Sequence, residues 1–83
     1  MSYQISYEKR ALHELEKLET SISRRIIIAV EGLAQDPSSK DIKKLKGKED
    51  YYRLRVGNYR IIFVFEGSSI KILKIGNRQQ IYE

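Results

Sequence analysis

The sequence contains no cysteine, a single histidine and a single proline. Without cysteine there is no disulfide framework, and one histidine leaves no Cys/His metal set, a composition that fits a reducing compartment and sets a cytoplasmic location as the expectation. Long hydrophobic runs are also missing. The first twenty residues, MSYQISYEKRALHELEKLET, mix charged and apolar groups where an export signal needs a continuous apolar stretch. Nowhere does a run approach the roughly 20 apolar residues of a membrane span. Neither export nor membrane insertion is expected. Internal repeats and low-complexity segments are absent too, so residues 1–83 read as one domain. That length is near the lower limit for folding alone, and burial of about 60% of the unfolded surface is expected.

What is abundant is positive charge, and it is unevenly placed. The net charge is +5, yet residues 1–35 carry five Lys/Arg against five Glu and balance to zero. Residues 36–83 hold eleven basic and six acidic side chains, so the whole excess lies there. Within it, residues 40–60 alone hold eight basic and three acidic groups. This is the density of a phosphate-binding surface; a solvated basic loop is the plain alternative.

Periodicity divides the chain into elements. YQISY alternates with period two and predicts a short strand over Ser2 to Ser6. From Tyr7 onward Ala11, Leu15 and Leu18 recur at helical spacing. Thr20 or Ser21 is then expected to cap a second helix with a stripe of Ile22, Ile26, Ala29, Val30 and Leu33. Pro37 ends it, because proline has no N–H to donate and restricts the residue before it. KDIKKLKGKED lacks a sustained period and reads as a basic loop with Leu45 as an inward anchor. YYRLRV, YRIIFVF and SIKILKI are β-branched and aromatic runs separated by Gly57-Asn58 and Gly67-Ser68, two-residue turn signals. The order predicts an α+β domain: an N-terminal strand, an antiparallel helix pair and a three-stranded antiparallel meander, with both helices on one face of the sheet.

The stretch RLRVGNYR carries the sharpest signal. If Gly57-Asn58 is a two-residue loop, Val56 faces Tyr59, Arg55 faces Arg60, Leu54 faces Ile61 and Arg53 faces Ile62. Tyr52, Leu54, Val56, Tyr59, Ile61 and Phe63 then share an apolar face suited to the helices. Arg53, Arg55 and Arg60 gather on the other face. Opposed like charges are destabilising, on the scale of roughly 0.2–1 kcal/mol for a cross-strand pair, so something must offset Arg55 against Arg60. An anion such as phosphate fits, since guanidinium forks match its oxygens; splayed, solvated side chains are the alternative. Ile62, Val64 and Ile75 are expected on this same face. Tyr51 falls on the arginine side and is available for stacking on a base, while Tyr52 and Tyr59 fall on the core side. His13 lies beside the first helix's apolar stripe, a surface position.

LKGKEDYYRLRVGNYRIIFVF followed by ILKIGNRQQIY, after YEKRALHELEKL, resembles the RelE group of the RelE/ParE toxin superfamily over nearly the whole chain. The resemblance implies a type II toxin that cleaves mRNA in the ribosomal A site, in contact with 16S ribosomal RNA. It also implies no metal or other cofactor, and inhibition in a hetero-oligomer with a cognate RelB-type antitoxin. Carried over by position, it makes Arg53, Arg55, Arg60, Arg78 and Tyr82 the catalytic set. The three strand arginines hold the scissile phosphate, Arg78 assists the leaving 5′-oxygen and Tyr82 orients a base. Beside this set, Lys43, Lys44, Lys46 and Lys48 of the basic stretch and Tyr51 on the arginine side are expected to bind RNA, a reading from charge density and register. Some relatives carry lysine where this chain has Arg53 and Arg55. A lysine can serve as general base, whereas an arginine, with a pKa above about 12, does so poorly, so the base stays unassigned. Two other readings share the same features: a ParE-like inhibitor of DNA gyrase, and a non-catalytic nucleic-acid-binding module.

Overall fold

A computed structural model describes residues 2–38, 41–45, 47 and 50–77. Along the chain run β1 (Gln4–Tyr7), α1 (Lys9–Glu16), α2 (Thr20–Gln35), β2 (Ile42–Lys44), β3 (Tyr51–Val56), β4 (Tyr59–Glu66) and β5 (Ser69–Asn77). The strands form one sheet in the order β1-β5-β4-β3-β2; β1 is parallel to β5 and the other pairs are antiparallel. The α+β architecture and the β3-β4-β5 meander match the sequence expectation.

Helical spacing explains which residues reach the core. Ala11 and Leu15 of α1, four apart, and Ile26, Val30 and Leu33 of α2 are buried against Leu54, Val56, Ile61 and Phe63 of the sheet. Tyr52 and Tyr59 pack on this cluster as expected, and the Tyr52 ring stacks 5.7 Å from Phe63. His13 is exposed. The second helix starts differently from the hydroxyl-cap expectation. Glu19 holds the N-cap, and its carbonyl accepts the N–H groups of Ile22 at 3.0 Å and Ser23 at 2.9 Å, with Thr20 already helical. The turn is too tight for a later start, because the Leu18 N–H bonds the Leu15 carbonyl at 3.2 Å and Leu18 packs on the core.

Two strand expectations are corrected. The first strand is Gln4–Tyr7 instead of Ser2 to Ser6. Its pairing with β5 sets the limits: the Gln4 N–H bonds the Ser68 carbonyl at 3.0 Å, and the Glu8 N–H bonds that of Ile72 at 2.8 Å. The segment expected to be loop contains β2, which pairs Ile42 with Leu54, Lys43 with Arg53 and Lys44 with Tyr52. Ile42 packs on the core, whereas the expected anchor Leu45 is half-buried outside that cluster. Three residues, two of them lysine, carry no readable period; pairing with β3 supplies the order.

The last strand contains a β-bulge. Phe63 faces Ile72, but Ile62 faces Lys74, so Leu73 is the extra residue. Unbroken alternation would put Ile75 opposite Arg60 on the arginine side. Instead Ile75 faces Ile61 in the core and Gly76 faces Arg60, which corrects the expected placement of Ile75. Beyond Ile72 the partner β1 has ended. Glu14 of α1 takes its place there, accepting the Ile75 N–H on Oε1 at 2.8 Å.

Candidate functional site

The site is the sheet face that the helices leave uncovered, and backbone register decides its membership. The hairpin pairs Arg53 with Ile62, Leu54 with Ile61, Arg55 with Arg60 and Val56 with Tyr59, the register expected from a two-residue loop. Gly57 and Gly67, the first loop residues of the two hairpins, have φ of 58° and 59°. A type II′ turn needs a positive φ there, which glycine reaches without a steric penalty. Because paired residues share a face, Arg53, Arg55 and Arg60 lie together opposite the core. Lys43 joins them, directly across from Arg53.

The opposed arginines avoid one another. Arg55 Nη2 reaches Asp41 Oδ1 at 3.3 Å, an ion pair with both side chains about half exposed. Arg60 turns the other way, its Nη1 donating to the carbonyls of Gly57 at 3.0 Å and Tyr59 at 3.1 Å. Asp41 and two turn carbonyls therefore offset the repulsion within the chain. Arg60 is only 7% exposed, and its buried Nε makes no hydrogen bond among the described residues. Leaving such a donor unmet costs about 1–3 kcal/mol, a cost removed when the side chain turns to meet an acceptor. A phosphate oxygen is an acceptor of the right charge.

The remaining expected residues divide. Tyr51 is on this face, opposite Val64, four residues along β3 from Arg55 and so about 13 Å away. It sits beside Glu8, Asp50, Glu66 and Lys71 in a shallow depression. Lys71 is committed there: its Nζ lies 3.2 Å from Glu8 Oε2. That hydrogen bond, then the charges of Glu8 and Glu66, hold its ammonium above the ordinary lysine pKa. Lys44 pairs with Tyr52, which places it on the helix side and apart from the arginines. Lys46, Lys48, Arg78 and Tyr82 lie outside the described residues.

Sequence reasoning missed three groups near the site. Asp41 has no spacing signal, because its approach to Arg55 depends on β2. Arg25 of α2 comes against the hairpin turn; a Cβ on Gly57 would lie 3.3 Å from its Nη1. Lys74 reaches the arginine face only through the bulge. Among the described residues, no three His, Cys, Asp or Glu side chains converge as a metal set, and no helix is long and apolar enough to cross a membrane.

Comparison with known proteins bears on the family and the fold. The family described as "ParE toxin of type II toxin-antitoxin system, parDE" matches residues 5–82. Toxin RelE3 of Methanocaldococcus jannaschii is 34% identical over 83 residues, covering 95% of this chain and 94% of that protein. Two crystal structures with comparable identity align along nearly their full length. The toxin in the RelB-RelE antitoxin-toxin complex from Methanococcus jannaschii is 34% identical, with a TM-score of 0.76 over 93% of this chain and 94% of its own. The archaeal RelE-RelB complex from Pyrococcus horikoshii OT3 gives 32% identity and a TM-score of 0.78, over 94% of this chain and 97% of its own. At 20% identity the intact E. coli RelBE complex superposes with a TM-score of 0.80, over 92% of this chain and 96% of its own, a likeness of fold.

Proposed function

Since the chain belongs to the RelE/ParE family of type II toxins, we propose that it is a metal-independent endoribonuclease that cuts mRNA in the ribosomal A site and so stops translation. The observation that carries this reading is the register placing Arg55 opposite Arg60 and Lys43 opposite Arg53 on the face away from the helices. Four cations on one face of a small domain suit a phosphodiester undergoing displacement, where catalysis consists largely of positioning and charge stabilisation. In the proposed step the ribose 2′-oxygen bonds to the adjacent phosphorus as the P–O5′ bond breaks. A 2′,3′-cyclic phosphate and a 5′-hydroxyl result. The 2′-proton leaves to a base and the 5′-oxygen gains a proton. Arg53, Arg55 and Arg60 hold the phosphate and its developing charge; the Nε of Arg60, buried and without a hydrogen-bond partner among the described residues, reaches it only once that side chain turns outward. Arg78 assists the leaving oxygen and Tyr82 orients a base. None of the three strand arginines is suited to take the 2′-proton.

The partner that follows is a RelB-type antitoxin, as in the complexes of the relatives, with acidic residues to meet the arginine face and an amphipathic helix. Binding only the folded toxin also stabilises it. A cytoplasmic site of action accompanies this reading.

Mapping mRNA 5′ ends in ribosome complexes tests the proposal. The wild type is expected to cut within the A-site codon, and Arg53→Ala and Arg60→Lys to lose most cleavage while remaining folded by circular dichroism. Equal cleavage by all three would remove the arginines from the mechanism. Arrest of DNA replication with intact mRNA would instead establish the gyrase-inhibitor reading that the ParE family match keeps open. RNA binding without cleavage by the wild type would reduce the site to a binding surface.

A further inference from the structure

The β-bulge has a consequence for the uncovered face. With regular alternation Lys74 would point toward the helices, opposite Ile61; the extra residue Leu73 moves it opposite Ile62. The cross-strand row therefore reads Lys43, Arg53, Ile62, Lys74 from β2 to β5. Three of its four members are cationic, and adjacent strands stand about 4.8 Å apart, so the row is about 14 Å long. It passes directly beside the row of Arg55, Arg60 and Gly76. Ile62 in its middle is only 8% exposed, a dry floor between charged flanks, and low polarity strengthens a charged contact.

Lys74 differs from Lys71, the other lysine of β5. Glu8 holds Lys71, whereas among the described residues Lys74 makes no ion pair. Lys74 also lies where this face meets the cleft between α1 and the open edge of β5. Two further cations, Arg10 and Lys17, line that cleft against one carboxylate, Glu14, which already binds Arg10 at 3.5 Å and the Ile75 N–H. Positive charge thus continues from the arginines, over Lys74, to the edge of the sheet. Bulges are a common means of re-aiming a side chain beside a functional site.

We infer that Lys74 is a further RNA-binding residue. It contacts a phosphate of a single-stranded RNA that crosses the sheet from β2 to β5 and leaves the arginine face toward the α1-β5 cleft. The inference rests on the proposed RNA cleavage, and its test separates the two. Cleavage in programmed ribosome complexes is compared for wild type, Lys74→Ala, Lys74→Arg, Arg53→Ala and Arg24→Ala, the last removing one charge from α2 on the opposite side of the sheet. Binding of a 2′-O-methyl single-stranded oligonucleotide is followed in parallel by fluorescence anisotropy across a salt series.

Lys74→Ala is expected to lower kcat/KM about 10-fold and to flatten the dependence of log affinity on log salt by about 0.7, the loss of one single-strand phosphate contact. Lys74→Arg should restore both, and Arg24→Ala should leave both near wild type. If Arg53→Ala is impaired while Lys74→Ala matches Arg24→Ala, the Lys74 contact is overturned and the cleavage reading survives. If Lys74→Arg fails to rescue although its thermal melt is unchanged, a phosphate contact at Lys74 is likewise overturned. If the wild type neither cleaves nor binds RNA, the underlying reading falls.

Discussion

Arg55 and Arg60 face each other directly across the β3-β4 hairpin, yet each hydrogen-bonds away from the other. Arg55 goes to Asp41 and Arg60 to the carbonyls of Gly57 and Tyr59. The cost of placing two cations at one cross-strand position is thus met inside the chain, while the buried Arg60 Nε has no acceptor among the described residues. This arrangement makes the crowding of cations on one face of the hairpin tolerable within the chain itself.

The Asp41–Arg55 pair is half exposed, so its worth to stability is small. A double-mutant cycle of Asp41→Ala and Arg55→Ala, read by urea unfolding, should give a coupling of about 0.2–1 kcal/mol. The Asp41→Ala protein is expected to bind RNA at least as tightly as wild type, because Arg55 no longer has an internal carboxylate partner. Weaker RNA binding by Asp41→Ala would argue that Asp41 positions Arg55 for substrate.

Glu14 substitutes for a missing strand by accepting the Ile75 N–H. Glu14→Ala leaves that part-buried donor without an acceptor, and a loss of about 1–3 kcal/mol is expected. Glu14→Gln keeps an acceptor oxygen and should lose less. Native-state hydrogen exchange gives the local readout: the Ile75 amide should exchange faster in the alanine variant than in the glutamine one. Equal protection in wild type and Glu14→Ala would refute this role.

Gly57 combines a positive φ with a close neighbour, since an added Cβ would lie 3.3 Å from Arg25 Nη1. Gly57→Ala is expected to destabilise by more than about 1 kcal/mol. Arg25→Ala in the same protein should recover only the contact part of that loss, because the backbone part remains. Thermal melts of the single and double variants measure the split; full recovery would show that φ contributes nothing.

Burial, reinforced by the negative charge of Glu31, raises the pKa of Tyr7 above the ordinary tyrosine value. A group that holds its proton more tightly when folded adds stability below its unfolded pKa, near pH 10, and loses that contribution as pH rises through the higher folded value. Ultraviolet titration of the phenolates should show a late phase that Tyr7→Phe removes. The variant should also be less sensitive to alkaline unfolding than wild type. A titration curve unchanged by the substitution would refute the assignment.

Much of the fold was legible in the sequence because it depends on local spacing. Helical periodicity set the buried stripes of α1 and α2, and period-two alternation with Gly57-Asn58 set the hairpin register, hence the common face of Arg53, Arg55 and Arg60. Other features depend on partners distant in the chain. Ile42–Lys44 is a strand only because β3 lies beside it, and that pairing is what brings Asp41 to Arg55 and Lys43 to Arg53. Whether Ile75 or Lys74 faces the core turned on one extra residue in β5. Alternation cannot reveal such a residue, because the pattern looks regular until the register with β4 and the Glu14 carboxylate at the open edge select the bulged pairing. The sequence by itself determined that a basic face would exist and which hairpin would carry it. Tertiary structure decided how far that face extends and what holds its arginines apart, because cross-strand register and long-range hydrogen bonds are settled only when the sheet closes.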